Sequence, residues 1–163
     1  MEAKCTACQG IIDYTFSNPT NILTALNMAG GNVFYHNSWV TLDKNTRLAV
    51  YGDSAAHAYL CGQWVRTKLD KASWNHIRSD VMSNDSLARV GFSSGLDRCI
   101  NLNPGTLKVS SGMMATTVGA ILGAVHLDGG DAALAMVMDN LGLTHDLLVM
   151  SFLSPLRIYS LCF

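Results

Sequence analysis

Apolar positions recur every three or four residues through most of this chain, and the breaks between the stripes fall at Gly, Pro, Asn and Asp. A short amphipathic pattern covers residues 1–13 and ends at Ile11-Ile12. Ser17 or Asn18 is placed to cap a helix with Pro19 in its first turn, and that helix runs through Ile22, Leu23, Ala25 and Leu26 to a stop at Gly30-Gly31. Residues 32–43 are β-prone but bounded by turn formers, and read as a loop or one extended segment. A central helix is predicted over about 44–67, with Leu48, Tyr51, Ala55, Tyr59 and Trp64 among its apolar residues. Asp70 or Ser73 can cap the next helix, which carries Trp74, Ile77, Val81, Leu87 and Val90 before breaks at Gly95 and Asn103-Pro104-Gly105.

Two later stripes complete an all-α pattern. Residues 111–126 present Met114, Val118, Ile121, Leu122 and Val125 on one face and the small residues Thr116, Gly119, Ala120 and Gly123 on the other. Asp128-Gly129-Gly130-Asp131 reads as a turn, with Asp131 capping a last helix that carries Leu134, Val137, Met138 and Leu141 and stops at Gly142. Residues 1–142 are thus expected to form one domain. The remaining 143–163 make an apolar tail, interrupted by Pro155 and Arg157, that is a poor membrane span and is expected to pack on the domain or on a partner subunit.

The central helix holds an anomaly. Gly52 sits in its interior, where glycine costs about 1 kcal/mol relative to alanine, so a close backbone approach by another helix or subunit is expected there. Asp53 is the one acid of the stretch, and Thr46 and Ala49 share its face. His57, four residues on, can face the same cavity, so an Asp53/His57 pair is a candidate for a softer metal or a general base; the alternative is a surface or interface histidine.

Composition narrows the partners. Of 163 residues, 49% are apolar and 14% charged, which excludes disorder, and the net charge of −1 is a poor start for non-specific nucleic-acid binding. Any RNA contact needs a local patch, for which Lys68, Lys71, Arg78 and Lys108 are the candidates. Five cysteines form an odd set, and the start of the chain has no apolar secretory signal, so an intracellular protein with reduced thiols is expected, its compartment open. Cys5 and Cys8 make a CxxC without a second ligand pair, and read as two helix cysteines three apart.

Four stretches, in order and with compatible spacing, resemble the ribonuclease III family. Tyr14-Thr15-Phe16-Ser17-Asn18-Pro19 with Ile22-Leu23 and Ala25-Leu26 is similar to the family's opening motif. Arg47-Leu48-Ala49-Val50-Tyr51-Gly52-Asp53-Ser54 resembles its signature helix Glu-Arg-Leu-Glu-Phe-Leu-Gly-Asp-Ser. Leu102 to Lys108 resembles the loop before its last helices, and Ala115 to Gly130 its late helix ending Gly-Ala-Val-Tyr-Leu-Asp-Gly-Gly. The resemblance implies an all-α endonuclease domain that pairs as a homodimer, here through Val50, Tyr51 and Gly52, and that acts on double-stranded or structured RNA; no membrane contact is expected, because the apolar tail is a poor span.

It also implies a Mg²⁺ site built from carboxylates on two helices and the turn between the signature helix and the next one. Those acidic positions fall on Thr46, Ala49, Asp53, Lys71 (beside Asp70), Thr116 and Gly119, and Asp53 alone is an acid. One carboxylate with hydroxyls holds Mg²⁺ poorly, so no ordinary Mg²⁺-dependent cleavage is expected and no cofactor is assigned. The expected reading is a degenerate domain that binds RNA. Its alternatives are an active endoribonuclease with a rebuilt site of Asp53, His57 and Asp70, and a structural subunit of an RNA–protein assembly.

Overall fold

The computed structural model describes residues 1–153. Four of the helices start where a polar side chain, Asn18, Asp70, Ser83 or Ser110, satisfies one of the first amides. Asn18 accepts from Thr20 N ahead of α2 (Pro19–Ala25), which follows α1 (Glu2–Ile12). The central α3 spans Thr46–Trp64. Asp70 caps α4 (Lys71–Met82) through Ser73 N at 2.8 Å, and Ser83 caps α5 (Asn84–Ser93) through Ser86 N at 3.3 Å. Residues 70–93, expected as one helix, are therefore two, because Ser83 leaves helical geometry (φ −66°, ψ 152°) to cap the second. Ser110 caps α6, Ser111–Asn140, which bends at Gly130 (φ 69°, ψ −162°), where the sequence expected a turn; α7 is Asp146–Leu153.

Residues 32–43 are neither a loop nor one extended segment. They fold back as a hairpin of β1 (Gly31–Tyr35) and β2 (Ser38–Leu42), paired antiparallel with Phe34 opposite Trp39. His36 and Asn37 both take positive φ, 45° and 60°, which is the two-residue turn that matches strand twist. The hairpin rests on the helical body through buried Val33 and Leu42.

α6 is the axis of the core. Between Met114 and Val125 every residue except Thr116 is buried, enclosed chiefly by α3, α5 and α2. The helix is long and apolar enough to cross a bilayer by composition alone, yet in this fold it serves as the core helix and bends at Gly130. The beginning of the expected tail belongs to this body: Leu143 and Leu148 are buried in the core. The rest of that tail, with Pro155 and Arg157, lies outside the described residues.

Buried amides fix the relation between layers. Asn45 Nδ2 donates to Ala25 O at 2.9 Å and to Thr117 Oγ1 at 3.3 Å, joining α2, α3 and α6. Asn101 Nδ2 donates to Asn27 Oδ1, and Asn27 Nδ2 to the carbonyls of Leu42 and Asp43. These bonds replace water for groups that would otherwise be desolvated without a partner, and they hold the start of α3 in place.

Candidate functional site

The site is the seam where α3 crosses α6, and glycine makes it possible. A methyl group on Gly52 would lie 1.9 Å from Gly119 O and 2.5 Å from Gly123 N, and one on Gly123 would lie 2.4 Å from Leu48 O. Only glycine permits two backbones to approach this closely. The partner that Gly52 accommodates is thus α6 of its own chain. Its placement at a dimer interface is corrected on that ground, since its surface is already covered within the chain. Val50 and Tyr51, by contrast, stay exposed on the outer side of α3, at 68% and 39%.

The same crossing positions Asp53. A Cβ at position 119 would lie 2.7 Å from Asp53 Oδ1 and 3.5 Å from Ala49 O, so Ala49, Asp53 and Gly119 share one seam. The Asp53 carboxylate thus lies in the space that a side chain at 119 would enter. Its Oδ1 is buried and accepts no hydrogen bond among the described residues. Burial pushes the Asp53 carboxyl above the usual carboxylate range, and the nearby His57 offsets part of that rise.

The other positions add little to this carboxylate. Ala49 is a buried methyl group, and Thr46 is exposed at the first residue of α3. Thr116 Oγ1 donates to Gly112 O at 2.9 Å, back along its own helix. Lys71 begins α4 as an exposed cation. Asp70 is held below the usual range by the amide and then the hydroxyl of Ser73, which is the state of a helix cap. A Mg²⁺ ion asks for several oxygen ligands in near-octahedral order. Across these positions the chain offers one desolvated carboxylate, a methyl group, a committed hydroxyl and a lysine, which do not make such a set.

His57 does not complete a second kind of centre. Its Nδ1 lies 2.7 Å from the Asp53 backbone carbonyl and donates to it, rather than to the carboxylate. Among the described residues, Asp53, His57 and Asp70 do not form a three-ligand group, so the expected Asp53/His57 metal pair gains no third ligand.

Several residues reveal roles that residue spacing did not predict. Asp128, read as a turn former, instead reaches across to the start of α2. It accepts from Ser17 N and Asn18 N at 2.8 Å each, Tyr14 Oη at 2.9 Å and Asn21 Nδ2 at 3.1 Å. Desolvation raises its pKa, but these donors together outweigh that and hold it below the usual range; Tyr14, desolvated and bonded to the carboxylate, is pushed up to about 12. His126 bridges Tyr51 Oη (2.7 Å) and Asp131 Oδ1 (2.9 Å), so Asp131 anchors this histidine at the bend of α6. Only the partner identities were hidden in the sequence: Tyr, His and Asp are separated by 75 and 5 positions.

The candidate basic residues Lys68, Lys71 and Arg78 are all exposed, the last two a multiple of turns apart on α4. Lys108 is exposed on a different segment, beside a cavity of about 640 Å³ lined by Phe92, Val109, Ser110 and Ser111. Cys5 and Cys8 are buried on α1, and the Cys8 thiol pairs with Cys99 rather than with its CxxC neighbour; that bond and then burial raise its pKa, while burial takes Cys5 up to about 11.

Comparison with known proteins agrees with this architecture. The family model described as ribonuclease-III-like matches residues 31–144. The chain is 28% identical over 134 residues to ribonuclease 3 of Rhodopirellula baltica, covering 78% of this chain and 48% of that protein. It is 30% identical over 152 residues to ribonuclease 3 of Syntrophotalea carbinolica, covering 89% and 65%. The chain thus spans about half to two thirds of the length of these relatives. Two solved structures of the ribonuclease III nuclease domain from Campylobacter jejuni have the same fold, with TM-scores of 0.65 and 0.66 at 19% identity. They cover 83% and 85% of this chain and 92% and 96% of theirs; the second describes flexibility in a region of that protein involved in dimer formation.

Proposed function

Because this chain belongs to the ribonuclease-III-like family, we propose that it binds double-stranded or structured RNA as a dimer without Mg²⁺-dependent cleavage. The observation that carries the proposal is the Asp53 carboxylate lying over Gly119. Where an acid on α6 would share a metal with it, α6 offers a glycine, and the carboxylate is folded into the seam with a raised pKa. A phosphodiester cannot be polarised there by cations that the site does not hold. What is retained is shape: the α3–α6 seam, with its outer side exposing Val50 and Tyr51, and Leu127 exposed on α6 near its bend.

Dimerisation through that outer side fits the exposure of these apolar side chains, which otherwise gain nothing from water. RNA contact would come from the phosphate backbone, through Lys68, Lys71 and Arg78 on each subunit. Two copies carry six of these cations but a net charge of −2, so the contact relies on the local patch and not on the overall charge. A second reading, a structural subunit that contacts protein and not RNA, is favoured by that same net charge of −1.

Fluorescence anisotropy with a labelled RNA duplex separates the two. The proposal expects binding that weakens steeply with salt and is lost on Lys68→Glu/Lys71→Glu/Arg78→Glu, with the RNA recovered intact. Absence of binding at low salt, or binding indifferent to these substitutions, contradicts it.

A further inference from the structure

Away from the α3–α6 seam, one group of side chains has the spacing of metal ligands. His76 and Asp80 are i, i+4 on α4 and project from one face, and His145 arrives from the segment that leads into α7. His76 Nε2 lies 3.3 Å from Asp80 Oδ2, and His145 Nε2 lies 3.4 Å from the same oxygen. All three ligand atoms are within 4.8 Å of one another. A tetrahedral ion with bonds of about 2.0–2.1 Å places neighbouring ligand atoms roughly 3.3–3.4 Å apart, which is the spacing of both histidines from the Asp80 oxygen.

We propose that His76, Asp80 and His145 bind one divalent transition-metal ion of the zinc class and so latch the start of α7 onto α4. Two imidazoles with one carboxylate select Zn²⁺, Co²⁺, Ni²⁺ or Cu²⁺ over Mg²⁺, which prefers oxygen. Three protein ligands leave a fourth position for water or a further donor. The side chains of His76 and Asp80 are 64% and 49% exposed, which gives an ion its path in, while His145 at 13% is held at the packed edge. The His76 ring meets the His145 ring edge to face, at 5.5 Å and 76°, so both imidazoles are already gathered at the carboxylate. Without a metal, the His76–Asp80 contact, exposed on both sides, contributes little to stability.

One rearrangement accompanies binding and gives it a signature. Leu147 N donates to His145 Nδ1 at 3.2 Å, which places the ring proton on Nε2. Coordination through Nε2 moves that proton to Nδ1 and ends the bond from this first-turn amide of α7.

The test uses the untagged, reduced, chelator-stripped chain, titrated with Zn²⁺ in a calorimeter and with Co²⁺ by visible absorption, with Mg²⁺ as the control. The proposal expects one Zn²⁺ per chain, a higher melting temperature with Zn²⁺, no response to Mg²⁺, and a Zn²⁺-dependent shift of the Leu147 amide resonance. His76→Ala and Asp80→Asn, both at exposed positions that leave the core intact, are each expected to weaken Zn²⁺ binding by roughly tenfold or more and to abolish that shift. No heat with Zn²⁺, unchanged affinity in both variants, or binding lost only on Cys61→Ser overturns the proposal.

Discussion

Substituting Gly52 by Ala is expected to force apart the two helices that carry the site. Alanine inside a helix ordinarily gains about 1 kcal/mol over glycine. Gly62, on the same helix, is the case where that gain is available, because an added methyl meets nothing within 4 Å. At Gly52 the methyl would lie 1.9 Å from Gly119 O, 2.5 Å from Gly123 N and 3.0 Å from Gly119 C, where ordinary contact begins at 3.4 Å. All three atoms are backbone, so no side chain can turn away, and relief requires α3 to shift off α6 along the face that buries Ala49, Ala56 and Leu60. Overpacking of a core costs about 1–3 kcal/mol, and a backbone clash belongs at the upper end of that range or beyond it. Less the helix-propensity gain, Gly52→Ala should lose about 2 kcal/mol or more, roughly 4–8 °C in melting temperature for a chain of this size. Gly62→Ala should gain about 0.5–1 kcal/mol. Denaturant unfolding followed by far-UV circular dichroism, at one fixed protein concentration, measures both. A Gly52→Ala variant within about 0.5 kcal/mol of the parent, or indistinguishable from Gly62→Ala, refutes the packing argument.

Three further outcomes follow from named contacts. The raised Asp53 pKa means the folded chain holds this proton more tightly than the unfolded one, so its contribution is favourable below the unfolded pKa and is lost as pH rises through the folded value. Asp53→Asn should flatten stability against pH across that window, and an unchanged profile in denaturation at several pH values would count against a desolvated carboxylate. Asp128 has a lowered pKa, so its contribution is present above the unfolded pKa and is lost as pH falls through the folded one. Asp128→Ala should cost about 2 kcal/mol, because four donors, including the amides of Ser17 and Asn18 just ahead of α2, lose a charged acceptor; a loss below about 0.5 kcal/mol denies that anchor. Val50→Asp, at a 68% exposed position, should convert a dimer of about twice 17.6 kDa to monomer in light scattering while leaving the fold intact. A parent chain that is already monomeric contradicts pairing through α3.

The sequence exposed most of this fold because periodicity, caps and breaks agreed with one another. Asn18-Pro19, Asp70 and the Gly129-Gly130 break all lie where helices begin or bend. The hairpin was missed because its signal is two residues, His36-Asn37, taking left-handed geometry without a glycine. Ser83 was missed because a serine between two apolar stripes of similar phase reads as a helix surface residue until its backbone is seen. At the site, spacing places Ala49 and Asp53 on one face of α3 and Gly119 on another helix; that the two meet is seen only in the approach of Asp53 to position 119. The partner of Gly52 was not legible, since a demand for close approach is the same whether it comes from another chain or from α6. Nor were Asp128, His126 and the His76–Asp80–His145 group, whose partners are set by tertiary contact across as many as 114 positions.

The central claim, that the family's fold persists here without its Mg²⁺ chemistry, is tested most directly by incubating the purified chain with long double-stranded RNA in Mg²⁺ and in Mn²⁺, beside an active ribonuclease 3. Full-length RNA after the relative has digested its own sample is the predicted result. Products that appear with either metal and vanish on Asp53→Asn would contradict it.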